Sequence, residues 1–390
     1  MTITQRDIDR RLLGGVCARL ARRYDYDVTG VRVATVALAL LTAGLGGVAY
    51  VALWLLLPPA TAPIAPAAPA PAAALYGPVA GDLPRVDEAL RALAEVKSPW
   101  LRQMIETVVG GGGKRMRPAI ALLAGRFGSY DLALLVPLAA SVELLHTATL
   151  VHDDVIDGAT QRRGQPTPSA LFGNAASVML GDYLFAHAAD LVAQTGNVRV
   201  IRNFAATLRV MAGGELQQDL SAFEYSEDVQ RYLERIGGKT ASLFATAAEG
   251  GAIITGATEA EVAALRRYGE SLGTAFQVVD DVLDLTGDQQ EMGKPVGSDL
   301  REGTLTLPAL LYLQDAPADN PVKRAFDDPS DEELLERAIA AIRASDALPG
   351  AMVAARGFGD QAREALAALP PGEARTALEG LIDYVLERRS

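Results

Sequence analysis

Residues 33–57 form a run of 25 amino acids without a charged side chain, VATVALALLTAGLGGVAYVALWLLL. A helix of this length and composition can cross the hydrocarbon core of a bilayer. Tyr50 and Trp54 lie towards one end of the run, where interfacial aromatic side chains are common. The run is too long, and begins too late, for the apolar part of a signal peptide. We therefore predict a membrane-associated segment; a buried core helix and a short hairpin through residues 44–47 are the alternatives.

A stretch rich in proline and alanine separates this segment from the rest of the chain. Residues 58–80 carry no charge, and their composition is typical of an extended, semi-rigid linker. Residues 1–60 carry seven arginines and four aspartates, a net charge of +3, whereas the remainder carries −15 of a total of −12. These changes predict a membrane-associated domain at 1–58, a linker at 59–80 and a large domain at 81–390.

The large domain has the apolar periodicity of helices throughout. Leu, Ala, Glu and Arg recur at spacings of three and four residues, as in VDEALRALAEV and EARTALEGLIDYVLERR. Alternating strand patterns are absent from its sequence. We therefore predict an all-α fold, a helical bundle preceded by a small helical membrane-associated module.

Composition limits the partners and cofactors of the chain. The net charge of −12 does not favour bulk attraction to nucleic acid, so we expect no nucleic-acid partner. The single cysteine, Cys17, excludes an intramolecular disulfide and a cysteine-rich zinc site.

Two acidic clusters share the spacing DDxxD, and each is embedded in apolar sequence. In a helix, residues i and i+4 lie on one face, so each cluster places like charges side by side. Mg²⁺ is a hard cation that binds carboxylate oxygens and bridges to phosphate oxygens. Two such clusters therefore indicate a site for Mg²⁺ and a phosphorylated ligand rather than two solvated helix faces. The clusters are Asp153, Asp154 and Asp157, and Asp280, Asp281 and Asp284.

Basic residues accompany these clusters along the sequence. Lys and Arg next to metal-binding carboxylates can clamp a diphosphate, although each alone is more often a surface charge. A nucleotide-binding P-loop is excluded, because GGKT at 237–240 lacks the upstream glycine and a preceding strand. The basic residues are Lys114, Arg117, Arg162, Arg163, Lys239 and Lys294.

Five motifs of the large domain together resemble the trans-isoprenyl diphosphate synthases. They occur in the order of that family and span most of the domain. The resemblance implies an isoprenoid-synthase-type helical bundle around a deep central cavity, usually assembled as a homodimer. The motifs are GGKRMRP at 112–118, HDDVIDGATQRRGQPT at 152–167, GGKTASLF at 237–244, FQVVDDVLD at 276–284 and GKPVGSDLREGTLTLP at 293–308.

The N-terminal part resembles a second family, the phage-shock-protein C domains. The resembling residues are RLLGGVCA at 11–18, Asp27, VRV at 31–33 and the apolar run that ends in WLLLP at 54–58. This resemblance implies membrane association and supplies no catalytic residue.

The first resemblance assigns roles to individual residues. The six aspartates would hold three Mg²⁺ ions, and Arg162, Lys239 and Lys294 would grip an allylic diphosphate. Thr240 and Gln277 would line the reacting centre. Thr304 stands where the family often has a lysine. The residues that would bind isopentenyl diphosphate are Lys114, Arg117, His146 and Arg163. The catalytic set would be Asp153, Asp154, Asp157, Lys239, Thr240, Gln277, Asp280 and Asp281.

The reaction implied is the condensation of isopentenyl diphosphate with an allylic diphosphate. In this family, side chains one turn before the first aspartate cluster form the floor of the cavity, and short-chain enzymes have aromatic residues there. Here those positions are Thr149 and Ala148, with Leu144 and Leu145 a turn further up. We therefore predict a trans product longer than C20, C30–C50, which would suit a quinone side chain. The alternatives are a short-chain farnesyl- or geranylgeranyl-type synthase, a terpene cyclase and a non-catalytic membrane stress adaptor.

The location of the enzyme depends on how residues 33–57 meet the membrane. All seven N-terminal arginines precede the run, which favours a cytoplasmic N-terminus and, for a single span, a synthase outside the cell. The substrates are expected inside. We therefore predict a synthase on the cytoplasmic face, attached through residues 33–57.

Overall fold

The computed structural model describes Thr35 and residues 75–110, 113–162, 164–287 and 295–388, except for the side chain of Asp219. The predicted membrane-associated domain, its apolar segment and most of the predicted linker lie outside the described residues.

The described part of the large domain is built from helices joined by short connections, which confirms the predicted all-α class. A 3₁₀ turn at Gly77–Val79 precedes the first long helix, and a π-helical turn at Gly237–Ala241 joins α8 to α9. The helices are α1 (Leu83–Ala92), α2 (Pro99–Val109), α3 (Met116–Gly125), α4 (Leu132–Ile156), α5 (Pro168–Phe172), α6 (Asn174–Ala193), α7 (Val198–Leu220), α8 (Val229–Ile236), α9 (Ser242–Thr255), α10 (Glu259–Thr286), α11 (Ser298–Arg301), α12 (Leu307–Asp315), α13 (Pro321–Asp327), α14 (Glu332–Arg343), α15 (Ala347–Ala367) and α16 (Glu373–Leu386).

One short β-hairpin interrupts the helices. Its strands, β1 (Gln161–Arg162) and β2 (Gln165–Pro166), pair antiparallel. Gly164, the residue before β2, has a φ of +72°, which glycine adopts without steric cost. The hairpin follows α4 directly and returns the chain past the end of that helix.

The linker predicted at 59–80 is shorter than expected at its C-terminal end. Tyr76 and Val79 are buried in the core of the helical domain, at 3% and 0% exposure. The folded domain therefore includes residues before Gly81, because these two side chains bury apolar surface against it. The division into three domains otherwise remains a prediction.

Two helices, α4 and α10, carry the acidic clusters. The side chain of Asp131 caps the N-terminus of α4, and Thr258 and Glu261 form a capping box at the start of α10. Among the described residues, α4 is the one single helix long and apolar enough to span a membrane, but most of it is buried inside the domain. Its apolar character is therefore that of a core helix.

The core consists of two apolar clusters, and α10 passes through both. Its residues from Val262 to Ala275 pack in the first cluster, with α3, α4, α6, α9 and α16. Its residues from Val278 to Leu285 pack in the second, with α12, α14 and α15. The second acidic cluster therefore lies on a helix that is fixed by both halves of the domain.

Two glycines let α10 approach α9 and the π turn at backbone distance. A Cβ added at Gly269 would lie 2.6 Å from the Cα of Ala245, and one added at Gly273 would lie 2.6 Å from the Cα of Ala241. Backbone atoms cannot rotate out of the way as a flexible side chain can. This contact sets the distance between the π turn and the second acidic cluster.

We predict that Gly273→Ala destabilises the helical domain. Forcing these backbones apart is an overpacking change and should cost about 1–3 kcal/mol. Gly380→Ala in α16 is the matched control, because a Cβ there meets no atom within 4 Å, and alanine in a helix interior is favoured over glycine. Thermal unfolding followed by far-UV circular dichroism measures both variants. A Gly273→Ala protein as stable as wild type would contradict the close contact.

Candidate active site

Both acidic clusters lie at the C-terminal ends of long helices. The first, at 153–157, covers the last turn and the C-cap of α4, and the second, at 280–284, lies in the last two turns of α10. The last turns of α4 and α10, both fully described, contain no basic residue. A helix C-terminus carries partial negative charge, and like charges at i and i+4 repel. Both positions therefore favour a bound cation.

The π turn at Gly237–Ala241 connects the two clusters through successive residues. The Nζ of Lys239 lies 2.6 Å from the Glu215 carboxylate, and its charge also acts on Asp153 of the first cluster. The hydroxyl of Thr240 donates to the Gln277 side-chain oxygen at 2.7 Å. A π-helical turn changes the direction of neighbouring side chains relative to an α-helix and is often found at functional sites.

Lys239 and Asp153 form a partly buried charged group at the first cluster. The pKa of Asp153 is raised to about 6, mainly by burial; Lys239 acts to lower it, and Glu215 and Asp157 act to raise it. Burial lowers the pKa of Lys239, but Asp153 and Glu215 outweigh this effect and leave it raised. The ammonium of Lys239 therefore stays charged beside two carboxylates.

Asp281, in the second cluster, is held by two hydrogen-bond donors. The Tyr232 hydroxyl donates to Oδ2 at 2.6 Å, and the Gln277 side-chain amide donates to Oδ1 at 2.9 Å. Burial raises the pKa of Asp281 to about 7, whereas the hydrogen bonds from Tyr232 and Gln277 lower it. Thr240, Gln277 and Asp281 thus form one hydrogen-bonded chain, which brings together three of the residues singled out from the sequence.

Asp154 and Arg162 form an ion pair next to the first cluster. The Nε of Arg162 donates to Asp154 Oδ1 at 2.6 Å, and Asp154 is 3% exposed. The β-hairpin after α4 brings Arg162 back to this position. The sequence suggested that Arg162 contacts the allylic diphosphate; here its Nε is engaged by a carboxylate, which fixes the side chain beside the first cluster.

Asp284 accepts hydrogen bonds from two backbone N–H groups and one hydroxyl at the start of α11. Its Oδ1 accepts hydrogen bonds from Ser298 N at 3.1 Å and from Ser298 Oγ at 2.6 Å. Its Oδ2 accepts from Asp299 N at 3.4 Å. The side chain therefore fixes the start of α11 against the end of α10. Its role as a metal ligand remains a prediction.

Arg388, which follows α16 near the C-terminal end of the chain, reaches Asp280. Its Nη2 lies 2.9 Å from Asp280 Oδ1, and its guanidinium lies 4.3 Å from the ring centre of Phe276. The two other guanidinium nitrogens, Nε and Nη1, are buried and have no hydrogen-bond partner among the described residues. Burial raises the pKa of Asp280, whereas Arg388, Arg117 and Lys114 lower it.

Lys114 and Arg117 therefore lie on the side of the site that contains Asp280. The Nζ of Lys114 is 5.4 Å from the ring centre of Tyr384, and the guanidinium of Arg117 is 4.6 Å from that of Phe244. Aromatic faces attract cations at these distances. The charges of Arg388, Arg117 and Lys114 thus all act on the carboxylate of Asp280.

The remaining residues predicted from the sequence are His146, Arg163, Lys294 and the four residues of the proposed cavity floor. His146 is half-buried on α4, and its carbonyl accepts from the Thr149 hydroxyl at 2.8 Å. Arg163 and Lys294 lie outside the described residues. Of the proposed floor residues, Thr149 is half-buried, whereas the other three are wholly buried in the core: Ala148, Leu144 and Leu145.

Three residues of the site were not found from the sequence: Glu215, Tyr232 and Arg388. Each lies outside the DDxxD and lysine motifs, on α7, on α8 or at the C-terminal end. Glu215 stands in a polar helical stretch and Arg388 in a charged terminus, patterns that also describe ordinary solvent-exposed residues. Only their contacts with Lys239, Asp281 and Asp280 distinguish them.

The oxygen donors of the two clusters suit Mg²⁺. Among the described residues, no three His, Cys, Asp or Glu side chains converge closely enough to hold a metal ion by themselves. Mg²⁺ is usually held by one or two carboxylates together with substrate phosphate oxygens rather than by an all-protein cage. Two separated carboxylate clusters flanked by cations fit that mode of binding.

Comparison with known proteins identifies the family of each part. Residues 98–342 match the family model described as Polyprenyl synthetase, and residues 4–60 match the PspC domain. The chain belongs to the polyprenyl synthetase family, with a PspC domain at its N-terminus, and is a prenyltransferase. Both resemblances found in the sequence are thereby confirmed.

Three similar proteins illustrate the match. The heptaprenyl diphosphate synthase component 2 of Geobacillus stearothermophilus is 38% identical over 315 residues, which is 81% of this chain and 98% of that protein. The crystal structure of a decaprenyl diphosphate synthase from Rhodobacter capsulatus is 41% identical, with a TM-score of 0.76, and covers 82% of this chain and 100% of that chain. A polyprenyl synthase from Caulobacter crescentus, complexed with calcium and isoprenyl diphosphate, is 37% identical with a TM-score of 0.77, covering 82% and 98% of the two chains.

Proposed function

We propose that the chain condenses isopentenyl diphosphate with an allylic diphosphate and makes a trans-polyprenyl diphosphate longer than C20. The observation that carries this proposal is the π turn, which connects Lys239 to the first acidic cluster and Thr240, through Gln277, to the second. One ligand between the clusters would meet both sets of carboxylates and the Lys239 ammonium. A diphosphate with bound Mg²⁺ has the charge and the oxygen donors for that position.

The allylic diphosphate would bind between the two clusters. In our proposal three Mg²⁺ ions would be held by Asp153, Asp154 and Asp157 on one side and by Asp280 and Asp281 on the other. When bound, Mg²⁺ would stabilise negative charge on the diphosphate leaving group. Lys239, with Lys294, would add positive charge at the same leaving group. These charges favour cleavage of the bond between the allylic carbon and the diphosphate oxygen.

Isopentenyl diphosphate would bind on the side of Asp280 opposite the proposed position of the allylic diphosphate. Lys114 and Arg117 lie there, and we place His146 and Arg163 in the same subsite. The double bond of isopentenyl diphosphate attacks the allylic carbon, a carbon–carbon bond forms, and a proton leaves to the released diphosphate. Apolar walls exclude the water that would otherwise quench the allylic cation.

The product length is supported by the small floor residues and by the relatives. The similar proteins include enzymes named for heptaprenyl and decaprenyl products. Neither Thr149 nor Ala148 is large enough to block a growing chain at the level nearest the first cluster. We propose a product of C30–C50, and a quinone side chain is the use that such a product would suit.

We predict that the purified full-length protein, given Mg²⁺, labelled isopentenyl diphosphate and farnesyl or geranylgeranyl diphosphate, makes a ladder that ends at C30–C50. Mass spectrometry of extracted products measures this. Lys239→Gln should lower kcat by about 10²–10³, the effect typical of removing one charge-stabilising donor. Lys323→Gln, at a half-exposed lysine on α13 outside the acidic clusters, is the matched control.

The two parts of this proposal fail separately. A ladder that ends at C15 or C20 keeps the reaction and refutes the product length. Absence of isopentenyl incorporation by folded wild-type protein refutes the reaction itself.

We predict that Thr149→Phe shortens the product, because an aromatic ring at a half-buried position before the first cluster would block the growing chain. Ala148→Phe is a poorer test, since Ala148 is wholly buried and the larger side chain should cost about 1–3 kcal/mol in overpacking. Thr147→Phe is the matched control: Thr147 is also half-buried, and its hydroxyl likewise bonds a backbone carbonyl of its own helix. An unchanged product length in Thr149→Phe would contradict the floor.

We also propose that the enzyme is a homodimer joined through α6 and α7. Six of the nine exposed large apolar side chains of the described residues lie on these two consecutive helices, and exposed apolar surface that a protein keeps is often used for association. The mass of the protein in mild detergent tests this, and a monomer would refute it. The six are Val178, Met179, Val198, Val210, Leu216 and Leu220.

We propose membrane attachment through residues 33–57, with the synthase domain on the cytoplasmic face. The PspC match at 4–60 and the charge-free run support attachment, and the cytoplasmic origin of the substrates supports the side. The growing product becomes harder to release into water with each five-carbon unit, so a membrane location would help its release. Cleavage of the synthase domain by protease added outside intact cells would refute this orientation.

A further inference from the structure

Arg115 occupies a backbone conformation that L-amino acids rarely adopt. Its φ and ψ are +48° and +34°, and it is one of two described non-glycine residues with a positive φ. It is the residue just before α3, between Lys114 and the helix that carries Arg117. A non-glycine residue persists in the left-handed region only where surrounding contacts hold it there.

The guanidinium of Arg115 makes those contacts with three separate elements. Its Nε donates to Asp87 Oδ1 on α1 at 2.8 Å, and its Nη1 donates to Glu143 Oε1 on α4 at 2.9 Å. Its Nη2 donates to the carbonyl of Val109, the last residue of α2, at 3.4 Å. The Arg115 and Glu143 side chains are 17% and 9% exposed, so the pair is largely removed from water.

Glu143 is a charged residue in a buried part of its helix. Every residue of α4 from Leu138 to Leu145 is buried, and Glu143 is the only charged side chain among these eight. A buried carboxylate is tolerated where it is paired and hydrogen-bonded, and Arg115 supplies that partner. The pair therefore ties the loop before α3 to the helix that carries the first acidic cluster.

Lys114, one residue before Arg115, and Arg117, two residues after it, are the cations whose charges lower the pKa of Asp280. Lys114 lies over the ring of Tyr384, and its carbonyl accepts a hydrogen bond from the Tyr76 hydroxyl. Arg117 lies over the ring of Phe244. Arg115 therefore contacts Asp87 and Glu143, whereas Lys114 and Arg117 contact the aromatic rings of Tyr384 and Phe244.

We propose that Arg115 is a positioning residue for isopentenyl diphosphate: through Asp87 and Glu143 it holds the turn that aims Lys114 and Arg117 at the diphosphate. This inference rests on the proposed function. It requires that Arg115 itself makes no contact with either substrate, and that its loss affects one substrate rather than both. Misplacing a binding group by about 1 Å can cost roughly a hundredfold in activity.

Arg115→Gly in the full-length protein separates the guanidinium from the backbone conformation, because glycine adopts a φ of +48° without strain. We expect KM for isopentenyl diphosphate to rise by about tenfold or more, and KM for the allylic diphosphate to change by less than about threefold. Arg115→Lys should recover only part of the loss, since a lysine cannot bond both carboxylates in the same fork. Arg363→Gln is the matched control, because Arg363 also bonds two carboxylates, Asp360 and Asp383, across two helices.

A double variant, Arg115→Met with Glu143→Met, separates positioning from folding. Replacing both members of a buried ion pair by apolar residues is often neutral for stability, whereas removing one leaves an unpaired buried charge. We expect a melting temperature near that of wild type and a KM for isopentenyl diphosphate that stays raised.

The results distinguish this inference from the proposed function. If wild-type protein incorporates isopentenyl diphosphate but Arg115→Gly leaves its KM unchanged, or raises the KM of both substrates equally, the positioning role is refuted and the reaction stands. A double variant with normal stability and a normal KM for isopentenyl diphosphate refutes it as well. If wild-type protein incorporates none, the proposed function fails and this inference falls with it.

Discussion

Electrostatic repulsion between carboxylates is the constraint on which the rest of this site depends. Two groups of three aspartates stand at the negative ends of α4 and α10, where the helix dipole and their own proximity both oppose ionisation. The domain offsets this with cations brought from elsewhere in the chain: Lys239 beside Asp153, Arg162 on Asp154 and Arg388 on Asp280. Each of these pairs joins a different element to the end of a cluster helix, so the charge balance also organises the site.

Close backbone packing makes this charge balance possible. Gly269 and Gly273 let α10 lie directly against α9 and the π turn, and the π turn then directs Lys239 and Thr240 to different clusters. A regular helix with larger side chains would separate the turn from Gln277 and Asp281. Gly269 and Gly273 therefore affect the proposed reaction only by setting the distance between the π turn and α10.

Much of the site followed from local sequence because its residues act as repeated motifs on helices. The two DDxxD spacings needed only helix periodicity, and the place of Thr240 and Gln277 near the reacting centre was inferred from a family resemblance; their hydrogen bond to each other was not predicted. The partners of the aspartates did not follow, because Tyr232 reaches Asp281 across 49 residues of sequence and Arg388 lies 108 residues after Asp280. Neither sequence separation corresponds to a helical or strand periodicity, so no pattern in the sequence predicts these contacts. The start of the domain was also misjudged, since the burial of Tyr76 and Val79 depends on helices far along the chain.

The sequence alone determined the helical class and the contrast in charge between a charge-free N-terminal segment and an acidic domain, and it predicted which carboxylates and lysines are candidates for the site. These are properties of composition and of spacing within one helix, and they need no knowledge of packing. The tertiary structure decided which charges meet: that Asp284 fixes α11, that Arg162 is held by Asp154, and that Arg115 pairs with Glu143. Those outcomes depend on which helices approach one another, and long-range packing in a folded core is set by all of its side chains together.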